Sequence, residues 1–217
     1  MFKNYVISCL LISLLLSDCS HGGKSVYDSL VSIDTMLTNE KVDSALTRLN
    51  ATNVDSSDKR NLAYYSLLKT QALYKSRETI SSDSTINIAI DYYSSVNDKD
   101  KLARSYYYKA CVLSSMKRHL DALKLLKTAE LLLRESEDYL LCHNVHYMIA
   151  FENSHHDEHA IAIEHLKKAL SFSQRINRAD LMAFDYERIS LNYYNCGKPD
   201  SDFFYINKCL SMIESIP

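Results

Sequence analysis

Small and apolar residues recur along this chain with a period of 40 residues. When the sequence is shifted by 40, segment 62–73 (LAYYSLLKTQAL) aligns with 102–113 (LARSYYYKACVL), and the alignment continues through two further copies. Small residues predominate in three columns: Thr70, Ala110, Ala150 and Ser190; Ser82, Ala122, Ala162 and Asp202; Ala89, Ala129, Ala169 and Cys209. Two further columns are apolar throughout: Ile86, Leu126, Leu166 and Ile206; Tyr92, Leu132, Phe172 and Met212.

This register predicts pairs of closely packed helices. Helices approach closely only where side chains are small, and large apolar residues one turn away fill the space beside the contact. The pattern resembles the tetratricopeptide repeat (TPR), most clearly in the second copy with Tyr106, Ala110, Ala122 and Ala129. The resemblance implies an all-α fold, a right-handed superhelical TPR-like solenoid of antiparallel helix hairpins. The period of 40 exceeds the usual TPR period of about 34, and we expect the extra residues to lengthen helices, because 97–100 and 135–138 contain neither glycine nor proline.

The repeats occupy residues 61–217, as four units of about 61–100, 101–140, 141–180 and 181–217. Upstream, residues 26–60 contain two shorter amphipathic patterns without the small columns. Because the ends of a repeat array need a capping element, we interpret 26–60 as a degenerate capping hairpin.

The N-terminal segment has the features of an export signal. Residues 1–18 contain Lys3 and then a short apolar run, which has the length of a signal-peptide core. Leu16-Ser17-Asp18-Cys19 resembles the lipobox of bacterial lipoproteins, although Asp18 departs from its usual small residue. The resemblance implies lipidation at Cys19, a polar tether over 19–25, and an exported lipoprotein anchored in a Gram-negative membrane. An ordinary secretory signal is the alternative. Because Ser20-His21-Gly22-Gly23, directly after Cys19, contains no acidic side chain, a periplasmic orientation is favoured.

Composition excludes several classes of function. Residues 24–196 contain no glycine and no proline, whereas phosphate loops, dinucleotide fingerprints and nucleophile elbows need glycine. The formal net charge is −2 with no basic run, so we expect no nucleic-acid partner. No catalytic constellation emerges, and we expect no enzymatic activity and no cofactor.

Tyrosine is abundant, at 16 residues, and exposed tyrosine often anchors a binding partner. The TPR resemblance implies a concave groove lined by the inner face of the first helices, where we expect Tyr107 and Tyr147 to be at least half exposed. The alternative is that tyrosine only packs between helices. The predicted groove contains Tyr64, Leu67, Gln71, Tyr74, Arg104, Tyr107, Asn144, Tyr147, Phe151, Phe184, Glu187 and Tyr194.

Two further sets of residues were candidates for chemistry. His155, His156 and His159 lie with two acids in one short run, and zinc accepts such ligands. The run also falls at a predicted hairpin turn, so we expect no functional metal site. The spacing of the four remaining cysteines, Cys111, Cys142, Cys196 and Cys209, does not match that of a zinc knuckle. Export would allow them to form disulfides, but we favour burial as small apolar residues.

These patterns predict a non-enzymatic, membrane-anchored TPR scaffold that binds a protein or peptide in its groove. The alternative is the exported sensor part of a regulatory system that acts through a separate signalling partner. The sequence leaves the oligomeric state open.

Overall fold

The structure, a computed structural model, describes residues 19–78, 80 and 82–214. The predicted signal segment 1–18 lies outside this range. Over the described residues the chain forms ten α-helices and no β-strand, which confirms the all-α prediction. The helices are α1 (Cys19–Thr38), α2 (Val42–Ala51), α3 (Lys59–Lys75), α4 (Ser84–Ser95), α5 (Lys99–Ser115), α6 (His119–Leu132), α7 (Tyr139–Ser154), α8 (His159–Arg175), α9 (Ala179–Asn195) and α10 (Pro199–Glu214).

The chain divides into two compact units, the first with α1–α3 and most of α4, the second with α5–α10. In the first unit α1, α2 and α3 pack against one another. Their core consists of Leu30, Ile33, Leu37, Ala45, Leu49, Tyr64, Leu68 and Ala72. Because α1 begins at Cys19, the segment 19–25, predicted as a polar tether, is helical.

In the second unit each helix packs against the next one along the chain, and α5 also contacts α7. The small-residue columns lie at these contacts: Ala122, Ala129, Ala162 and Ala169 have no exposed surface. Side chains of this size let two helix backbones approach closely. In the first repeat the equivalent small residue, Ser82, does not lie at a helix contact, because it is exposed and precedes α4.

The hairpin turns use a left-handed residue every 40 positions, at Arg77, Lys117, Asp157 and Gly197, whose φ angles are 59°, 62°, 59° and 66°. The following amide donates back to the helix that has just ended; for example, the Arg118 N–H donates to the Leu113 carbonyl at 2.8 Å. This is the Schellman ending, which glycine usually provides. Three of the four turns therefore bear the steric cost of a side chain at positive φ.

The segments 97–98 and 135–138 form turns although they contain neither glycine nor proline, while six of the eight described repeat helices are 16 or 17 residues long. The helix α4 ends at Ser95 and α5 begins at Lys99, with Asn97 at a φ of 54° between them. The segment 135–138 lies between α6 and α7. Asparagine tolerates the left-handed region better than most residues, so a turn forms here without glycine.

Capping aspartates at the starts of three helices are also spaced 40 residues apart. The carboxylates of Asp58, Asp98 and Asp138 accept hydrogen bonds from the amides three residues later, at 3.0, 3.1 and 3.0 Å. Such caps satisfy amides that have no partner within the helix. In the fourth repeat Arg178 occupies this position and makes no side-chain cap.

Candidate functional site

Part of the predicted groove is buried. In the first unit Tyr64, Leu67 and Gln71 are 5%, 0% and 4% exposed, and the Tyr64 hydroxyl donates to Asp34 Oδ2 at 2.6 Å. In the second unit Tyr107 is only 8% exposed. The expectation that Tyr107 and Tyr147 are at least half exposed is wrong, since Tyr147 is also partly buried. The helix α5 packs against α6 and also contacts α7, so part of its surface is used for helix contact.

Two of the predicted groove residues, Tyr147 and Phe151, line a cleft between α7 and α9 with a volume of about 250 Å³. Helical spacing creates it: Tyr147 and Phe151 are one turn apart on α7, and Arg188, Leu191 and Asn195 follow one another along one side of α9. Ala150 and Leu166 also line the cleft. We call it the α7–α9 cleft.

Aromatic contacts fix one end of this cleft. The rings of Tyr147 and Phe184 lie 5.3 Å apart, and the Arg188 guanidinium lies 5.0 Å from the centre of the Phe184 ring. Arg188 Nε is also 3.3 Å from Glu187 Oε2. Burial, opposed by the nearby guanidinium, raises the pKa of Tyr147, so its phenol is neutral at physiological pH. The cleft therefore offers apolar rings, a guanidinium and amide groups, a combination that suits apolar side chains beside peptide backbone.

Other predicted groove residues lie outside the cleft lining. Tyr74, Arg104, Asn144 and Glu187 are half-buried, while Phe184 and Tyr194 are 41% and 66% exposed. The structure thus brings Tyr147, Phe151 and Phe184 together and does not extend this arrangement to the buried tyrosines.

The three histidines of the turn do not converge. His155 Nδ1 lies 3.0 Å from the Phe151 carbonyl oxygen, and His159 Nδ1 lies 3.0 Å from Asn192 Oδ1. His156 instead faces the His119 ring edge-on. With their nitrogens directed to different neighbours, these side chains do not form a ligand set.

Another group of potential metal ligands does converge, and the sequence analysis missed it. Glu130, His146 and His165 lie on α6, α7 and α8, with one ligand atom of each within 4.8 Å of the others. Only the packing of three helices brings these residues together, so no sequence spacing indicates the group. Burial above all lowers the pKa of both histidines to about 4.

A buried polar network connects α7, α8 and α9. His143 Nε2 lies 3.1 Å from Asp185 Oδ1, and the Ser173 hydroxyl donates to Asp185 Oδ2 at 2.7 Å. A nucleophilic triad needs histidine between serine and the acid, whereas here the aspartate lies between the other two. All three residues are buried, so the network holds helices together and offers no route for a substrate.

The four cysteines of the repeats are free. Cys111, Cys142 and Cys209 are buried, as favoured from the sequence, and Cys196 is half-buried. Burial raises the pKa of the Cys142 thiol to about 11, which keeps it protonated and unreactive.

Solved structures share this architecture. The chain is similar to BtubC (BKLC) from P. vanneervenii, with a TM-score of 0.70 and 13% identity over 94% of this chain and 85% of that one. It is similar to MamA, with a TM-score of 0.60 and 17% identity over 88% and 93% of the two chains. The nearly identical TPR-like repeats of a Podosopora anserina kinesin light chain match with a TM-score of 0.62 and 9% identity, over 87% and 94%.

These similarities show that the chain has a TPR-like helical-repeat fold. No protein-family model matches the chain, and no curated protein matches it significantly. Among the residues that the structure describes, no helix is long and apolar enough to cross a membrane.

Proposed function

We propose that this protein is a non-enzymatic scaffold that binds a segment of a protein or peptide in the α7–α9 cleft. The observation that carries the proposal is the cleft itself, which is lined by Tyr147, Phe151 and Arg188, with the exposed Phe184 packed against Tyr147 at its edge. Rigid aromatic side chains supply contact area at low entropic cost, and an adjacent arginine adds directional hydrogen bonds. TPR-like repeats serve as binding scaffolds in similar folds.

We also propose that the scaffold is attached to a bacterial membrane through lipid on Cys19. Support comes from the signal-like residues 1–18 and the lipobox-like Leu16-Ser17-Asp18-Cys19. One lipid chain gives weak binding and several give stable binding, because each buried methylene contributes roughly 0.8 kcal/mol. Cys19→Ala should move the protein from the membrane to the soluble fraction and abolish incorporation of labelled fatty acid. A wild-type protein without the label contradicts this part of the proposal.

Photo-crosslinking in cells tests the binding proposal. A photoreactive phenylalanine analogue is placed at Phe184 beside the cleft, or at Phe203 on α10, which is an equally aromatic but more exposed position at 69%. The scaffold proposal predicts a discrete protein or peptide adduct at Phe184 and none of that adduct at Phe203. The same adduct at both positions, or only at Phe203, contradicts binding in the cleft.

A further inference from the structure

Three helices of the second unit bring nitrogen and oxygen ligands to one point. His146 Nδ1 lies 3.0 Å from His165 Nδ1 and 3.7 Å from Glu130 Oε1, and the remaining distance, from His165 Nδ1 to Glu130 Oε1, is 4.0 Å. His165 and His146 side chains are only 4% and 12% exposed, while that of Glu130 is 24% exposed. The group is therefore fixed by packing on its histidine side and accessible on its carboxylate side.

These separations match the ligand sphere of a small divalent ion. In a tetrahedral zinc site with bonds of about 2.0–2.1 Å, neighbouring ligand atoms lie roughly 3.3 Å apart, between the shortest and longest of the three distances. Two imidazoles and one carboxylate are also a ligand set that zinc uses with a fourth position open. We propose that Glu130, His146 and His165 bind one Zn²⁺ ion that joins α6, α7 and α8.

Lys127 competes with the ion. Its Nζ lies 3.0 Å from His165 Nε2 and 3.3 Å from Glu130 Oε2. An ammonium only donates, so this contact makes Nε2 the acceptor and places the ring proton on Nδ1, from where it is donated to His146. Zinc binding through both Nδ1 atoms moves that proton to Nε2, and Lys127 must turn away. Its side chain is 46% exposed, so it reaches water readily.

The fourth coordination position has access to solvent. Glu130 and His146 line a cleft of about 360 Å³ together with Cys142, Lys168 and Phe172, and the Phe172 ring stacks on His146 at 5.6 Å. A water molecule can complete a tetrahedral sphere from this side. The ion would then fix the second repeat to the third, and the stability of the chain would rise with the logarithm of the zinc concentration above the Kd.

The test titrates the purified, chelator-treated full-length chain with Zn²⁺ by calorimetry. Co²⁺ replaces Zn²⁺ in a parallel experiment because its visible spectrum reports coordination geometry. We expect one ion per chain, tetrahedral Co²⁺ bands, and a loss of affinity of at least about tenfold in Glu130→Gln and in His165→Gln. Glu130 is accessible enough that its glutamine variant should fold, and thermal unfolding checks this.

Two further variants make the result independent of folding defects. Lys127→Met removes the competing ammonium and should tighten zinc binding about fivefold, which a damaged protein would not do. A His155→Gln/His159→Gln variant alters the turn histidines and should bind zinc as the wild type does. The proposal is overturned by absence of stoichiometric binding, by wild-type affinity in Glu130→Gln, by unchanged or weaker binding in Lys127→Met, or by loss of binding in the turn variant.

Discussion

Tyr147 on α7 and Phe184 on α9 pack together as tilted rings, 5.3 Å between centroids, and so connect the first helices of two successive repeats. The contact leaves 41% of Phe184 exposed beside the α7–α9 cleft. One aromatic pair therefore both packs two repeats together and presents a ring to a binding partner. In the preceding repeat the residue equivalent to Tyr147 is Tyr107. It is nearly fully buried and therefore serves only in packing.

The left-handed turns predict opposite effects of glycine at two equivalent positions. Lys117→Gly should raise the free energy of unfolding by about 1 kcal/mol, because glycine adopts a φ of 62° without a Cβ clash. Gly197→Ala should lower it by a similar amount, and no heavy atom lies within 4 Å of the added Cβ to contribute a further clash. Urea unfolding followed by circular dichroism measures both. Destabilisation by Lys117→Gly would contradict the assignment of strain to these turns.

The buried network predicts that Asp185 is important for stability. Asp185→Ala removes the buried partner of His143 Nε2 and leaves the Ser173 hydroxyl with only the Leu170 carbonyl as acceptor, which should cost about 3 kcal/mol. The control is Asp180→Ala. Asp180 pairs with Arg178 at the surface, and such exposed pairs contribute about 1 kcal/mol or less. Thermal unfolding that shows equal losses for the two variants would refute the structural role of Asp185.

Acid sensitivity should arise at His146 and His165. Burial holds their pKa at about 4 in the folded chain, compared with about 6.5 when unfolded. Lys127 and Lys168 lower these pKa values further, and Glu130 opposes the shift. Because the unfolded state takes up protons first, stability should be constant above about pH 6.5 and fall as the pH approaches 4.

The measurement is urea unfolding at pH 7 and pH 5 with a chelator present. Each of these two histidines should reduce the free energy of unfolding by on the order of 2 kcal/mol over that interval, or about 4 kcal/mol together. His165→Gln removes one of the two groups, so its stability should depend less on pH than that of the wild type. An equally steep dependence in the variant would show that other groups cause the loss.

The sequence predicted the repeat well because side-chain size is a local property with a fixed period. Ala129 and Ala169 lie at helix contacts, as their columns required. The turn inside each hairpin followed from the register, as at the His155–His159 run of the third repeat. The turns between hairpins at 97–98 and 135–138 were missed because they contain neither glycine nor proline, although the aspartates at 58, 98 and 138 could have shown where each hairpin begins.

The candidate sites were predicted less completely than the fold. Register places Tyr107 and Tyr147 in the same column, but their exposure depends on which neighbouring side chains cover each one. Glu130, His146 and His165 come from three helices. Whether their side chains approach one another depends on how those helices are rotated and packed, and the spacing of the residues along the sequence does not indicate this. By contrast, His155, His156 and His159 are close together in the sequence, but their side chains contact different neighbours.

The most direct test of the proposed function measures the affinity of the crosslinked partner segment for purified variants. Phe184→Ala should weaken binding by about 2 kcal/mol, or roughly thirtyfold in Kd, with an unchanged circular dichroism spectrum. Phe203→Ala on α10 is the aromatic control and should bind as the wild type does. Wild-type affinity in Phe184→Ala together with a thirtyfold loss in Phe203→Ala would contradict binding in the α7–α9 cleft and place the interaction on α10.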